Sequence, residues 1–227
     1  MARIASLENH QPTVLGRSVP AARVQDAGAY AGFVLVVLGS SFLTVTMLAA
    51  SIAPAYDFHQ AAISDLGVID ETALMFNALL VAVGVLNVAT GYLLYRTHRR
   101  AWILGTYVLA GLGAAGAGLV PLDRSEFHSL FALFGFVFFN LEAVASATLV
   151  RGPIRTISYA ASLVGLIYVV VMIIGDGGNP AIFGAIGHGG AERMIVYPAM
   201  LWTLAFGGYL LAGKAVERPE VGPRQGA

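Results

Sequence analysis

Apolar residues in this chain do not alternate or recur on one narrow face. They persist for about twenty positions at a time, and short polar clusters separate the runs. Six runs stand out, over residues 29–50, 73–95, 101–120, 127–150, 156–175 and 192–213. Each is close to the ~20 residues a helix needs to cross a hydrocarbon layer of ~30 Å, so the pattern predicts six transmembrane helices. Short connections make successive helices antiparallel neighbours, and the expected fold is an all-α integral membrane protein built as a six-helix bundle. The domain reading is a disordered tail over 1–26, a six-span membrane domain over 27–213 and a second tail over 214–227. Pro219, Gly222 and Pro223 oppose a continued helix in the second tail. No short apolar core with a small-residue cleavage site precedes the first run, so that run is expected to remain as an anchor.

Charge orients the bundle. Of the thirteen Lys and Arg residues, only Arg124 and Arg193 fall on one side of the predicted membrane. The others, among them Arg96, Arg99, Arg100, Arg151, Arg155 and Lys214, lie in the tails and in the second and fourth connections. Basic short loops stay in the cytoplasm, which places both termini there and makes the cell membrane the expected location. Tyr92, Tyr95, Trp102 and Tyr209 fall near the inner boundary as aromatic anchors. With 57% hydrophobic and 11% charged residues and a mean hydropathy of +0.75, the composition excludes an ordinary soluble domain. It also lacks the clustered basic footprint of a nucleic-acid binder, leaving membrane lipids as the expected partners. The absence of cysteine excludes disulfides, thiolate metal sites and a cysteine nucleophile.

Most of the candidate chemistry collects on the predicted outer face. The first connection carries Tyr56, Asp57, His59, Ser64 and Asp65, and its 57–66 stretch reads as a short re-entrant or interfacial helix. The third connection carries Asp123, Arg124, Ser125 and His128, and the fifth carries Asp176, Asn179, His188, Glu192 and Arg193. His59, His128 and His188 share this face, and imidazole with carboxylate is a normal zinc ligand set that can leave a position open for activated water. His188 and Glu192 are four residues apart and align if the last helix starts early, against which Gly189 and Gly190 weigh. Each residue also has a structural reading. Asp70 or Thr72 and Asp123 or Ser125 are placed to cap helices, Asp176 to Pro180 reads as a turn, and Arg193 beside Glu192 reads as an ion pair tying loops together.

A second polar layer lies within the spans. Glu142 is the one carboxylate well inside a run, with Asn87 at a comparable depth and Asn140, Tyr107 and Ser162 as expected neighbours. A polar clamp between helices is favoured over a proton relay, because no second charge lies inside the spans to continue one. The third run interleaves Gly105, Gly111, Gly113, Gly116 and Gly118 with alanines, which predicts a tightly packed helix. Pro198 is expected to kink the last helix. The two halves share no evident repeat, so an inverted-repeat transporter is permitted and not indicated.

Ser64-Asp65-Leu66-Gly67, Phe76-Asn77, Pro121-Leu122-Asp123 with His128, and Glu192-Arg193 with Pro198 and Trp202 resemble the motifs of the prokaryotic membrane proteins known as domain of unknown function 998. The resemblance covers about 30–213. It implies a six-helix bundle with extracytoplasmic motifs and brings no activity. A more distant resemblance is to the alkaline ceramidase and adiponectin-receptor hydrolases, which hold zinc with histidines near one membrane face. This chain has six predicted spans where they have seven, and it lacks their paired His-x-x-x-His.

The expected function is an outward-facing polar pocket for a lipid or small amphiphile, with a metal-dependent hydrolase as its enzymatic form. In that form Ser64, Asp65, Asp123 and His128 are the candidate catalytic residues, and Glu192 and Arg193 bind substrate. His59, His128 and His188 hold zinc, and Arg193 receives an anionic headgroup. The alternative is a non-enzymatic small transporter or membrane scaffold.

Overall fold

The computed structural model describes residues 13–14, 17–18 and 21–215, with side chains described from 27 to 213. Most of the predicted tails, 1–26 and 214–227, lies outside the described residues. Within the first, β1 (Thr13–Val14) pairs antiparallel with β2 (Arg17–Ser18), Thr13 opposite Ser18. Everything from Ala21 to Ala215 is helix, short 3-10 turn or connection.

Six helices follow: α1 (Ala21–Ile52), α2 (Ala73–His98), α3 (Ala101–Leu119), α4 (Phe127–Ala147), α5 (Pro153–Asp176) and α6 (Gly187–Ala215). All six are long and apolar enough to cross a membrane, α1 from Ala27 onward. The apolar runs therefore located every helix, and the differences fall at the ends. α1 and α6 begin before their apolar runs, since a helix continues into the polar boundary while its hydrogen bonds remain satisfied. α6 stays helical through Pro198.

Each helix packs on its sequence neighbours, α1 closes the ring against α6, and α4 also reaches α6. Small residues set the closest approaches. A Cβ at Gly113 of α3 would fall on the backbone of Gly135 and Phe131 in α4, so these helices meet main chain to main chain. Gly105, by contrast, has open space beside it, so the close approach belongs to the part of α3 from Gly111 onward.

The polar residues predicted inside the spans join helices. Asn87 Nδ2 of α2 donates to Glu142 of α4 and, with its other hydrogen, to the Tyr107 carbonyl of α3 at 3.0 Å. Tyr107 Oη and Ser146 Oγ are 2.9 Å apart, and Trp202 Nε1 donates to Ser158 Oγ at 2.8 Å, tying α6 to α5. Asn140 gives both amide hydrogens to carbonyls, of Phe136 at 2.8 Å and Ile195 at 3.2 Å. Interhelical bonds in a bilayer contribute about 0.6 kcal/mol on average and at most ~1.7. Glu142→Gln, which keeps an acceptor for Asn87, is accordingly expected to stay folded. Its thermal midpoint in detergent should lie within a few degrees of wild type, and a collapse of folded yield would exclude a clamp as Glu142's whole role.

Candidate functional site

The end of the bundle that carries the 53–72, 120–126 and 177–186 connections is organised by two adjacent side chains of α6. Glu192 and Arg193 are both buried. Being consecutive on a helix they point in different directions, about 100° apart, and they take hold of different parts of the first connection. The Glu192 carboxylate accepts the backbone N–H of Ile63 and faces Ser64 Oγ at 3.5 Å, the long limit of a hydrogen bond. Arg193 Nη1 is shared among the carbonyls of Phe58 (3.0 Å), Ala61 (3.0 Å) and Gly189 (2.7 Å), and Nη2 donates to Tyr56 Oη at 2.7 Å. The guanidinium also lies 4.7 Å from the Phe58 ring centroid and 5.6 Å from that of Tyr56. The predicted Glu192–Arg193 ion pair is replaced by this division of labour, and both terminal nitrogens of Arg193 are occupied by its own chain.

The same contacts explain why 57–66 does not form the predicted interfacial helix. Its carbonyls are drawn off to Arg193, and the Asp57 carboxylate takes the His59 N–H at 2.9 Å. Only a 3-10 turn forms, over Ser64–Gly67, with Asp65 reaching back to the Ala62 N–H at 2.8 Å. Tyr56 donates to the Ala62 carbonyl at 2.7 Å, and Asn77 Nδ2 donates to that of Gly67 at 2.8 Å. Burial pushes the Tyr56 phenol up to about 12 although Arg193 pulls it down, so the phenol remains protonated and donates. Gly189 permits the approach, because a Cβ there would meet the carbonyls of Ala61 and Phe58.

His128 stands opposite on the first turn of α4, buried to 3% exposure. Its Nδ1 is 2.7 Å from the Val120 carbonyl. A carbonyl can only accept, so Nδ1 carries the hydrogen and Nε2 of the neutral ring is left as an acceptor. Nε2 is buried and has no partner among the described residues.

Ser64, His128 and Glu192 line two adjoining spaces. One descends the axis of the bundle among Phe42, Phe76, Val83, Ala114, Phe139 and Met200, a narrow space with a volume of about 80 Å³. The other is a cleft between α4, α5 and α6 bordered by Asp65, Asp176 and His188, with Leu133 and Ile173 on its walls. Those two apolar residues are 37% and 55% exposed, so the cleft opens sideways between spans. The first and fifth connections thus frame a polar layer above an apolar hole.

The remaining predicted site residues are placed elsewhere. Asp123 is exposed on the turn before α4 and borders neither space. His59 lies on the outer side of the first connection, Nε2 3.1 Å from the Ala185 carbonyl and Nδ1 2.7 Å from Gln60 Nε2. His188 Nε2 pairs with Asp176 at 3.1 Å, so Asp176 does more than make a turn. The early start of α6 does align His188 with Glu192, but each engages a different partner. His59, His128 and His188 are consequently not gathered into one ligand set. Among the described residues no group of three or more His, Asp or Glu side chains is placed to hold a metal ion, and the residues do not fit the zinc centre that their number and sidedness favour. The expected caps also differ. Ser125 Oγ does accept the Phe127 N–H at 3.2 Å, whereas the Thr72 hydroxyl bonds back to the Leu66 carbonyl at 2.7 Å.

Sequence reasoning missed Tyr56 and Asn77 as loop ties, the Val120 carbonyl that orients His128, and the apolar lining of the axial space. A main-chain carbonyl leaves no sequence signal, and in a membrane protein apolar residues that line a cavity look like those that face lipid.

No curated protein and no solved structure matches this chain. One family model does, over residues 22–209, which takes in all six helices almost to the end of the last, and its description is "Protein of unknown function (DUF998)". The chain, a multi-pass helical membrane protein, belongs to the DUF998 family.

Proposed function

We propose that this protein binds a single-chain amphiphile from the cell membrane, with the tail in the axial space and the head at Ser64, His128 and Glu192. The carrying observation is that a polar rim with an unpartnered buried nitrogen stands directly over an apolar hole. Ligand sites are mostly apolar with a few convergent polar groups, and this one has that character. Positive-inside charge supports an outward-facing rim and cytoplasmic termini. Ser64 and His128 are the residues through which a reaction on the bound head would run, with Asp65 shaping the turn that presents Ser64. Arg193 is a positioning residue for the first connection. The reading carries no metal.

The test is photo-crosslinking in nanodiscs with a lipid bearing a diazirine in mid-chain. Labelled peptides should include the inward faces of α2 and α4 around Phe76, Val83 and Phe139. Ala132 borders both spaces, so Ala132→Phe should block entry and lower inward labelling about tenfold, the loss of ~1.4 kcal/mol of binding. Leu163→Phe, on a lipid-facing position 62% exposed, should leave it unchanged. Labelling confined to outward faces in wild type would remove the amphiphile reading and leave the transporter or scaffold alternative.

A further inference from the structure

The atoms at the polar rim are not a mixed set. His128 presents Nε2 as an acceptor because Nδ1–H is spent on Val120. Glu192 presents a carboxylate that is satisfied only by one backbone N–H and, at 3.5 Å, by the Ser64 hydroxyl. Ser64, donating toward Glu192, turns its lone pairs outward. In the adjoining cleft the acidic side chains are those of Asp65, Asp176 and Glu192, and neither space is lined by a lysine or arginine among the described residues. The nearest guanidinium, Arg193, directs its Nη atoms into the first connection. His188, the other histidine bordering the cleft, is paired with Asp176.

A buried acceptor without a donor costs about 1–3 kcal/mol, and an anionic head would add like-charge repulsion in a poorly screened setting. We infer that the bound amphiphile carries a hydrogen-bond-donating, non-anionic head, a long-chain alcohol or amine, and that fatty acids and phosphate monoesters are rejected. This rests on the amphiphile reading above and specifies its ligand. It also reverses the expectation that Arg193 receives an anionic headgroup.

The experiment uses four probes of equal chain length with a diazirine on the same carbon: hexadecanol, hexadecylamine, palmitate and hexadecyl phosphate. Each is crosslinked to the full-length protein in nanodiscs, and inward peptides are quantified. The alcohol or the amine should label them at least about tenfold more than either anion, the factor set by one unsatisfied polar group. If the amine is the stronger, Glu192→Gln should cut its labelling about tenfold and the alcohol's much less, because the ion pair is lost while the hydrogen bond persists. If the alcohol is the stronger, His128→Phe should cut it by a similar factor. Thermal midpoints of both variants confirm that they are folded. Equal or stronger inward labelling by palmitate or hexadecyl phosphate overturns the donor-head inference and leaves amphiphile binding standing. Absence of inward labelling by all four probes removes both.

Discussion

Arg193→Ala should be among the most damaging single substitutions in this protein. It strips the donor from the Phe58, Ala61 and Gly189 carbonyls and from Tyr56 Oη together, at a position only 9% exposed. Hydrogen bonds from a charged group contribute about 1.5–3 kcal/mol each, against about 0–1 for an exposed ion pair. The alternative duty, an Arg193–Glu192 bridge, would predict that Glu192→Gln is equally harmful. The geometry predicts otherwise, since glutamine can still accept the Ile63 N–H. The measurement is thermal unfolding in detergent with limited proteolysis of the 53–72 connection. Arg193→Ala should lower the midpoint by many degrees and expose that connection to cleavage. Arg193→Lys should recover only part, because one ammonium cannot span carbonyls and phenol as the fork does. A fully stable Arg193→Ala protein would sink the loop-tie account.

The second large effect is steric. Gly113→Ala introduces one methyl group against the Gly135 backbone, and no side-chain rotation relieves it. Overpacking of this kind costs about 1–3 kcal/mol, and helix propensity, which favours alanine by ~1 kcal/mol, offsets only part. The converse substitution is not equivalent. At Gly135 a Cβ would lie 3.7 Å from the Ala114 nitrogen, an ordinary contact, so Gly135→Ala should be neutral or slightly stabilising. Comparing the two thermal midpoints checks this asymmetry, and equal effects would contradict the described α3–α4 register.

The helices were legible in the sequence because hydrophobicity over about twenty residues has one cheap explanation, a helix in lipid. The clustering of polar motifs at one end was legible for the same reason, since alternation of spans sorts the connections. What could not be read was which of those polar groups meet. Ser64, His128 and Glu192 come together across connections of different length, whereas Asp123, five residues ahead of His128 on the exposed turn, stays apart. His59 and His188 share the face with His128 but hydrogen-bond elsewhere. Sidedness is a property of topology, and coordination is a property of ångström-scale placement, which spacing in a loop does not fix. Arg193 shows the same limit. Its charge was visible, but its acceptors are main-chain carbonyls that carry no residue identity.

The cleft that parts α4 from α5 has a consequence for how occupancy should be counted. A guest arriving past Leu133 and Ile173 comes from among the surrounding acyl chains, not from water, and never leaves the two-dimensional phase. Its occupancy is then set by mole fraction in the bilayer, and diluting the sample at constant lipid composition leaves it unchanged. Adding inert phospholipid empties the site. Aqueous titration of a poorly soluble guest would report partitioning into the membrane first and the protein's own preference only second.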